Sequence, residues 1–146
     1  MPTPIPVQPP TPLLAALLLC DNAVMDRRTG RKSLLGLFDR LSGERFPLVI
    51  PCAIFAQFSD AQGRYTLEVR LVDRRTNQTV LSIPVPPRVE VPDRLKRCEI
   101  LIDIPAFTLP APGSYEVRLL ANRQILGSTA LDATLAGAVA PQQEAA

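Results

Sequence analysis

LLAALLLCDNAVMDRRTGRKSLLGLFDRL, residues 13–41, decides the fold. An apolar run climbs to Met25. Five turn-forming residues follow, Asp26, Arg27, Arg28, Thr29 and Gly30, and a second apolar run returns through Leu34, Leu35, Leu37 and Phe38. This is the pattern of a long β-hairpin. The Asp26 side chain can accept hydrogen bonds from the turn backbone, and Gly30 can take the positive φ that a type I turn plus bulge demands. Asp21 is the odd residue, because it stands in mid-strand rather than at a turn. Facing inward it needs a partner, and Arg31 or Lys32 across the hairpin are nearest by register.

Downstream of the hairpin the chain keeps the period of two expected of half-buried strands. Leu48, Ile50, Cys52, Ile54, Ala56 and Phe58 share one face. Pro51 interrupts them and marks an edge or a bulge, since proline cannot donate to a ladder. Tyr65, Leu67, Val69 and Leu71 alternate with Thr66, Glu68 and Arg70. That strand ends in Asp73-Arg74-Arg75-Thr76-Asn77, a near repeat of the first turn in which Asn77 replaces Gly30 as the residue tolerant of the left-handed conformation. The repeat makes both arginine pairs read as solvated hairpin tips.

A strand over residues 79–85 precedes a connection broken by Pro84, Pro86, Pro87 and Pro92. Cys98, Ile100, Ile102 and Ile104 then alternate with Glu99 and Asp103. Gly113 and Tyr115 open a further hairpin turned by Ala121-Asn122-Arg123. Tyr115, two residues after a glycine at the mouth of a strand, has the position of a tyrosine corner, and Gly63-Arg64-Tyr65 has the same spacing. Turns at intervals of about ten residues predict an all-β protein, an immunoglobulin-like or C2-like antiparallel sandwich of seven or eight strands. The expected boundaries are a proline-rich disordered arm over 1–12, one sandwich domain over 13–132 and a disordered alanine-rich tail over 133–146. Pro6-Val7-Gln8-Pro9 fits a PxxP ligand, but the arm reads better as a spacer.

Composition narrows the chemistry. The 146 residues carry a net charge of +2 and an apolar fraction of 47%. They give no argument for a nucleic-acid or membrane partner. Fourteen arginines against two lysines fit a GC-rich genome better than a phosphate site. Histidine is absent, and with it the usual general base and the commonest metal ligand. Cys20, Cys52 and Cys98 are widely spaced within apolar runs, as expected of buried thiols in a reducing, cytoplasmic compartment. The Leu-Leu-Leu-Cys box at Cys20 lacks a small residue before the cysteine and a basic residue upstream, so it reads as strand and not as a lipoprotein signal. No Gly-x-Ser-x-Gly elbow or glycine-rich phosphate loop is present, and Ser33 and Lys32, as strand neighbours, point to opposite faces. The aspartates sit singly at turns, which fits turn formation better than calcium binding.

The residues Leu-Leu-Leu-Cys-Asp21, Asp26, Thr29-Gly30-Arg31-Lys32, Ser33-Leu-Leu-Gly-Leu-Phe-Asp39 and Phe46-Pro47, with Pro112-Gly113-Ser114-Tyr115 near the end, resemble a bacterial family of small β-sandwich proteins known only as a domain of unknown function. The resemblance spans roughly residues 13 to 131 and implies a freestanding sandwich without an attached activity. The expected function is therefore a non-enzymatic module without a cofactor, acting through an unknown protein partner or as a homo-oligomer, with open sheet edges as the route. The alternative is sensing of a small ligand, an anion or Ca2+ in end loops. Its candidate contacts are Asp21, Asp26, Arg27, Arg28, Arg31 and Lys32, beside the structural residues Gly30, Asn77, Gly113 and Tyr115.

Overall fold

A computed structural model of the chain describes residues 9–137, the side chains of Pro86 and Pro87 apart. It contains nine strands: β1 (Leu13–Met25), β2 (Lys32–Leu37), β3 (Arg40–Gly43), β4 (Leu48–Ser59), β5 (Gly63–Asp73), β6 (Gln78–Val91), β7 (Cys98–Leu109), β8 (Gly113–Ala121) and β9 (Gln124–Leu135). They form two sheets, one ordered β2-β1-β4-β7 and the other β3-β9-β8-β5-β6. The protein is an all-β sandwich, with more strands than the seven or eight expected. The surplus comes from the return of the first hairpin. It stops at Leu37, and the chain then crosses to the other sheet, where β3 pairs parallel with β9.

The period-two faces meet where the alternation places them. Leu17 and Leu19 of β1, Cys52, Ile54 and Ala56 of β4, and Ile102 and Ile104 of β7 pack on Val69 and Leu71 of β5, Val117 and Leu119 of β8, and Leu131 of β9. Phe58, Tyr65, Leu67, Val91 and Ala121 extend this core toward one end. Burying about a dozen such side chains, each contributing ~1.5–3 kcal/mol, is the main force holding the sheets together.

Proline placement decides between two readings of Pro51 and corrects the reading of β6. Pro51 lies in the central strand β4, where the ladder to β7 shifts register between Ile50 and Cys52, so it marks a bulge and not an edge. Pro84, Pro86 and Pro87 belong to β6 instead of breaking the chain after it. They fit because β6 is an edge strand, and the ladder shifts between the pairs Leu67–Val85 and Tyr65–Val89.

The ends are also more engaged than expected. Pro12 is buried, and the Pro10 carbonyl accepts a hydrogen bond from the Tyr65 hydroxyl at 2.7 Å. β9 continues to Leu135, with Leu41, Ser42 and Gly43 of β3 alongside Ala133, Thr134 and Leu135. Residues 1–8 and 138–146, including most of the PxxP segment, lie outside the described residues.

Both turn predictions hold in detail. At the first, the Arg28 N–H donates to Asp26 Oδ1 at 2.8 Å, the Gly30 N–H to the Asp26 carbonyl at 2.7 Å, and φ at Gly30 is 73°. At the second, the Arg75 N–H donates to Asp73 Oδ1 at 2.9 Å, the Asn77 N–H to the Asp73 carbonyl at 2.7 Å, and φ at Asn77 is 59°. The same five-residue chemistry builds the same turn twice.

Candidate functional site

The outer half of the first hairpin leaves the plane of its sheet. Cys20 pairs with Ala53, the last rung between β1 and β4, while the ladder to β2 continues to Met25–Lys32. Glu99 pairs with Gln57, four rungs back along β4, roughly 13 Å at 3.3 Å per residue. A straight hairpin would carry Lys32 five rungs further the other way. Yet Lys32 Nζ lies 2.8 Å from Glu99 Oε1. The hairpin therefore doubles back over the outer face of the four-stranded sheet and forms an arm fastened at its tip.

Three observations locate the bend at Asp21 and Gly36. The ladder skips a rung where these two residues stand, between Cys20–Leu37 and Asn22–Leu35, Gly36 has φ of 69°, and a Cβ there would collide with the Asp21 carboxylate. The left-handed conformation costs an ordinary residue ~1–2 kcal/mol, so glycine is suited to this point. Cys20 and Ala53 are on the outward parity of their strands but are 0% and 2% exposed, as positions sealed beneath the base of the arm should be.

Beneath the tip, Gly30, Arg31, Lys32 and Leu34 line a cavity of about 510 Å³ together with Phe55 and Glu99. Glu99 also accepts from Gln57 Nε2 at 2.9 Å. Lys32 beside it holds the Glu99 carboxyl below the usual carboxylate range, outweighing the opposing effect of desolvation. Sequence reasoning missed Phe55 and Glu99 as the seat of the arm. The available signal was Phe55, a large aromatic on the outward parity between Ala53 and Gln57.

The candidate ligand residues are placed by the arm but not gathered. Asp26, Arg27 and Arg28 are exposed at the tip, and the Arg31 N–H donates to Thr29 Oγ1 at 3.2 Å. Asp21 is exposed at the bend, between the rungs Cys20–Leu37 and Asn22–Leu35. The partner that an inward-facing Asp21 would need from Arg31 or Lys32 is therefore not called for, and the fold-back sends Lys32 to Glu99. Among the described residues no group of three metal-ligating side chains converges.

The solvent side of the arm is apolar. Beyond the bend Val24 and Leu35 share one face and are 46% and 52% exposed, and Leu37, before it, is 58% exposed. Among the described residues β2 bonds to β1 on one side only, leaving its other edge open. The other outer strands are blunted in the ways that discourage edge pairing: β6 and β7 contain prolines, and β3 has only four residues. β2 contains no proline.

Elsewhere the polar groups pair locally. On the outer face of the five-stranded sheet, Arg70 binds Glu68 through two hydrogen bonds at 2.8 and 3.2 Å, with Ser82 on the same carboxylate. Arg118 bonds Glu116 at 2.7 Å and Asn77 at 3.0 Å. Arg70 is the main cause of the lowered pKa of Glu68. The three thiols are unpaired, and burial raises the pKa of each, that of Cys52 to about 11. Such thiols are poor nucleophiles.

The two tyrosines share the corner role. The Tyr115 hydroxyl donates to the Ala111 carbonyl at 2.5 Å, at the entry to β8 opened by Gly113. The Tyr65 hydroxyl accepts from the Gln62 N–H at 2.9 Å and adds the tie to Pro10.

No curated protein matches the chain. Among solved structures it is similar to beta-glucosidase from Listeria innocua, with a TM-score of 0.41 and 11% identity over 66% of this chain and 14% of that one. The same enzyme in complex with isofagomine gives 0.42 and 10%, over 82% of this chain and 16% of that one. The sequence model of a family of unknown function, DUF6941, matches residues 15–134, and the chain belongs to that family.

Proposed function

We propose that the protein is a non-catalytic interaction module that associates with a protein partner through the β1–β2 arm. The open β2 edge beside exposed Leu35 and Leu37 carries this reading. Unpaired N–H and C=O groups along a strand edge supply main-chain hydrogen bonds to an added strand, and the leucines supply apolar area. The Lys32–Glu99 pair and Leu34 hold the arm in place before binding, which lowers the ordering cost of association.

The topology supports an immunoglobulin-like framework. The order β1-β4-β7 against β9-β8-β5 follows A-B-E against G-F-C, with Tyr115 at the corner between the strands equivalent to E and F. Three unpaired thiols fit a cytoplasmic setting. No helix among the described residues is long and apolar enough to cross a membrane.

The experiment is affinity capture from native cells with tagged wild type and with Leu35→Glu/Leu37→Glu. Loss of the captured protein, whether another polypeptide or an untagged copy of this chain, in the variant alone is the expected result. Recovery of the same set by both would overturn the reading.

A further inference from the structure

We propose that the cavity between the arm and the sheet binds a small amphiphilic anion, an apolar body carrying one carboxylate, with the body against Phe55 and Leu34 and the carboxylate at Arg31. This site is separate from the exposed leucines proposed to meet a protein partner and does not depend on that reading.

The floor of the cavity is apolar by register. Phe55 pairs with Leu18 on one side and Leu101 on the other, and residues opposite each other in antiparallel strands project to the same face. Here that is the outer face of the sheet, and the Phe55 ring on it is half-buried. Leu34 covers part of the ring from the arm, yet about 510 Å³ remains between arm and sheet, a volume in the range of small-molecule sites. Apolar side chains beside such a space lack contacts that the body of a ligand would supply.

The other wall is basic. Lys32 and Glu99 both line the cavity and neutralise each other at 2.8 Å. Arg31 also lines it, is exposed, and forms no ion pair among the described residues. The turn beside it adds Arg27 and Arg28 against one carboxylate, Asp26, whose Oδ1 already accepts from the Arg28 N–H. Arg97, next to the start of β7, is close enough to Glu99 to add to the lowering of its carboxyl. The whole chain carries only +2, so positive charge is concentrated around this cavity and draws anions to it. A guanidinium without a carboxylate of its own can hold that of a ligand through two parallel hydrogen bonds.

The test is fluorescence titration of the purified full chain with anilinonaphthalene sulfonate, an aromatic amphiphile whose sulfonate stands for the carboxylate, and competition by octanoate. The expected result is one saturable site per chain, emptied by octanoate and not by octanol. Arg31→Glu should weaken binding about tenfold or more, as loss of a charge-assisted pair does. Leu34→Trp, which fills the cavity from the arm, should abolish it. Arg75→Glu, the matching change at the second Asp-Arg-Arg-Thr turn, should leave it unchanged, as should Leu35→Glu/Leu37→Glu. Binding that survives Arg31→Glu and disappears in Leu35→Glu/Leu37→Glu puts the probe on the exposed leucines and overturns the proposal. Failure of octanoate to displace the probe, equal displacement by octanol, or absence of a saturable site would each overturn it as well. None of these outcomes bears on capture of a protein by the arm, which Leu35→Glu/Leu37→Glu tests separately.

Discussion

Lys32 and Glu99, 67 residues apart in the chain, meet at 2.8 Å over the outer face of the four-stranded sheet. Both are partly exposed, so the pair contributes at most ~1 kcal/mol and acts as a fastener for the arm, not as a support for the fold.

Acid and salt should loosen the arm before the sandwich. The Glu99 carboxyl is held below its ordinary value near 4.5, so its contribution is present above that value and is lost as pH falls through the lower, folded-state value. Trypsin cleavage at Arg27, Arg28 and Arg31 should accelerate in Glu99→Gln and at high salt, while the melting temperature changes little. Equal tryptic rates in wild type and variant would contradict the fastening.

Gly36→Ala should cost ~1–2 kcal/mol, because it forces a side chain into the left-handed region and against Asp21. Gly30→Ala at the tip carries the same backbone penalty but meets open space. Denaturant titration of the two variants should therefore find Gly36→Ala the more damaging. The reverse order would contradict a bend at Asp21 and Gly36.

The thiols should titrate late. For Cys52 the folded-state value of about 11 exceeds the ordinary 9.0, so the stability it contributes is full below pH about 9 and declines as pH rises toward 11. Cys20 and Cys98 shift in the same direction. Native protein should react slowly with a thiol reagent at neutral pH, and denatured protein rapidly at all three sites. Rapid labelling of native Cys52 would contradict its burial.

Each corner hydroxyl should be worth ~0.5–1.5 kcal/mol, measured by Tyr115→Phe and Tyr65→Phe. Only Tyr65→Phe removes the tie to Pro10, so it alone should raise amide exchange at Thr11. Matching exchange in both variants would contradict a docked Pro9–Pro12 segment.

Strand identity was legible wherever one face is buried, as in β5, because the pleat turns burial directly into alternation. The two Asp-Arg-Arg-Thr turns were legible because their hydrogen bonds are local. The arm's fold-back was not. It depends on Lys32 meeting Glu99, and no local pattern encodes a contact of that separation. β6 was read short because proline argues against strands in general, and only its position at a sheet edge makes Pro84 acceptable. The tie of Pro10 to Tyr65 likewise depends on tertiary placement, not on the composition of the arm.

The most direct test of the account is hydrogen–deuterium exchange of β2 in the purified protein alone and in its complex with the protein that the tagged chain captures. Association through the open edge predicts that amides of Lys32–Leu37 gain protection in the complex, while those of the edge strands β6 and β7 do not. Protection that appears at β6 or β7 instead, with none gained along β2, would contradict it.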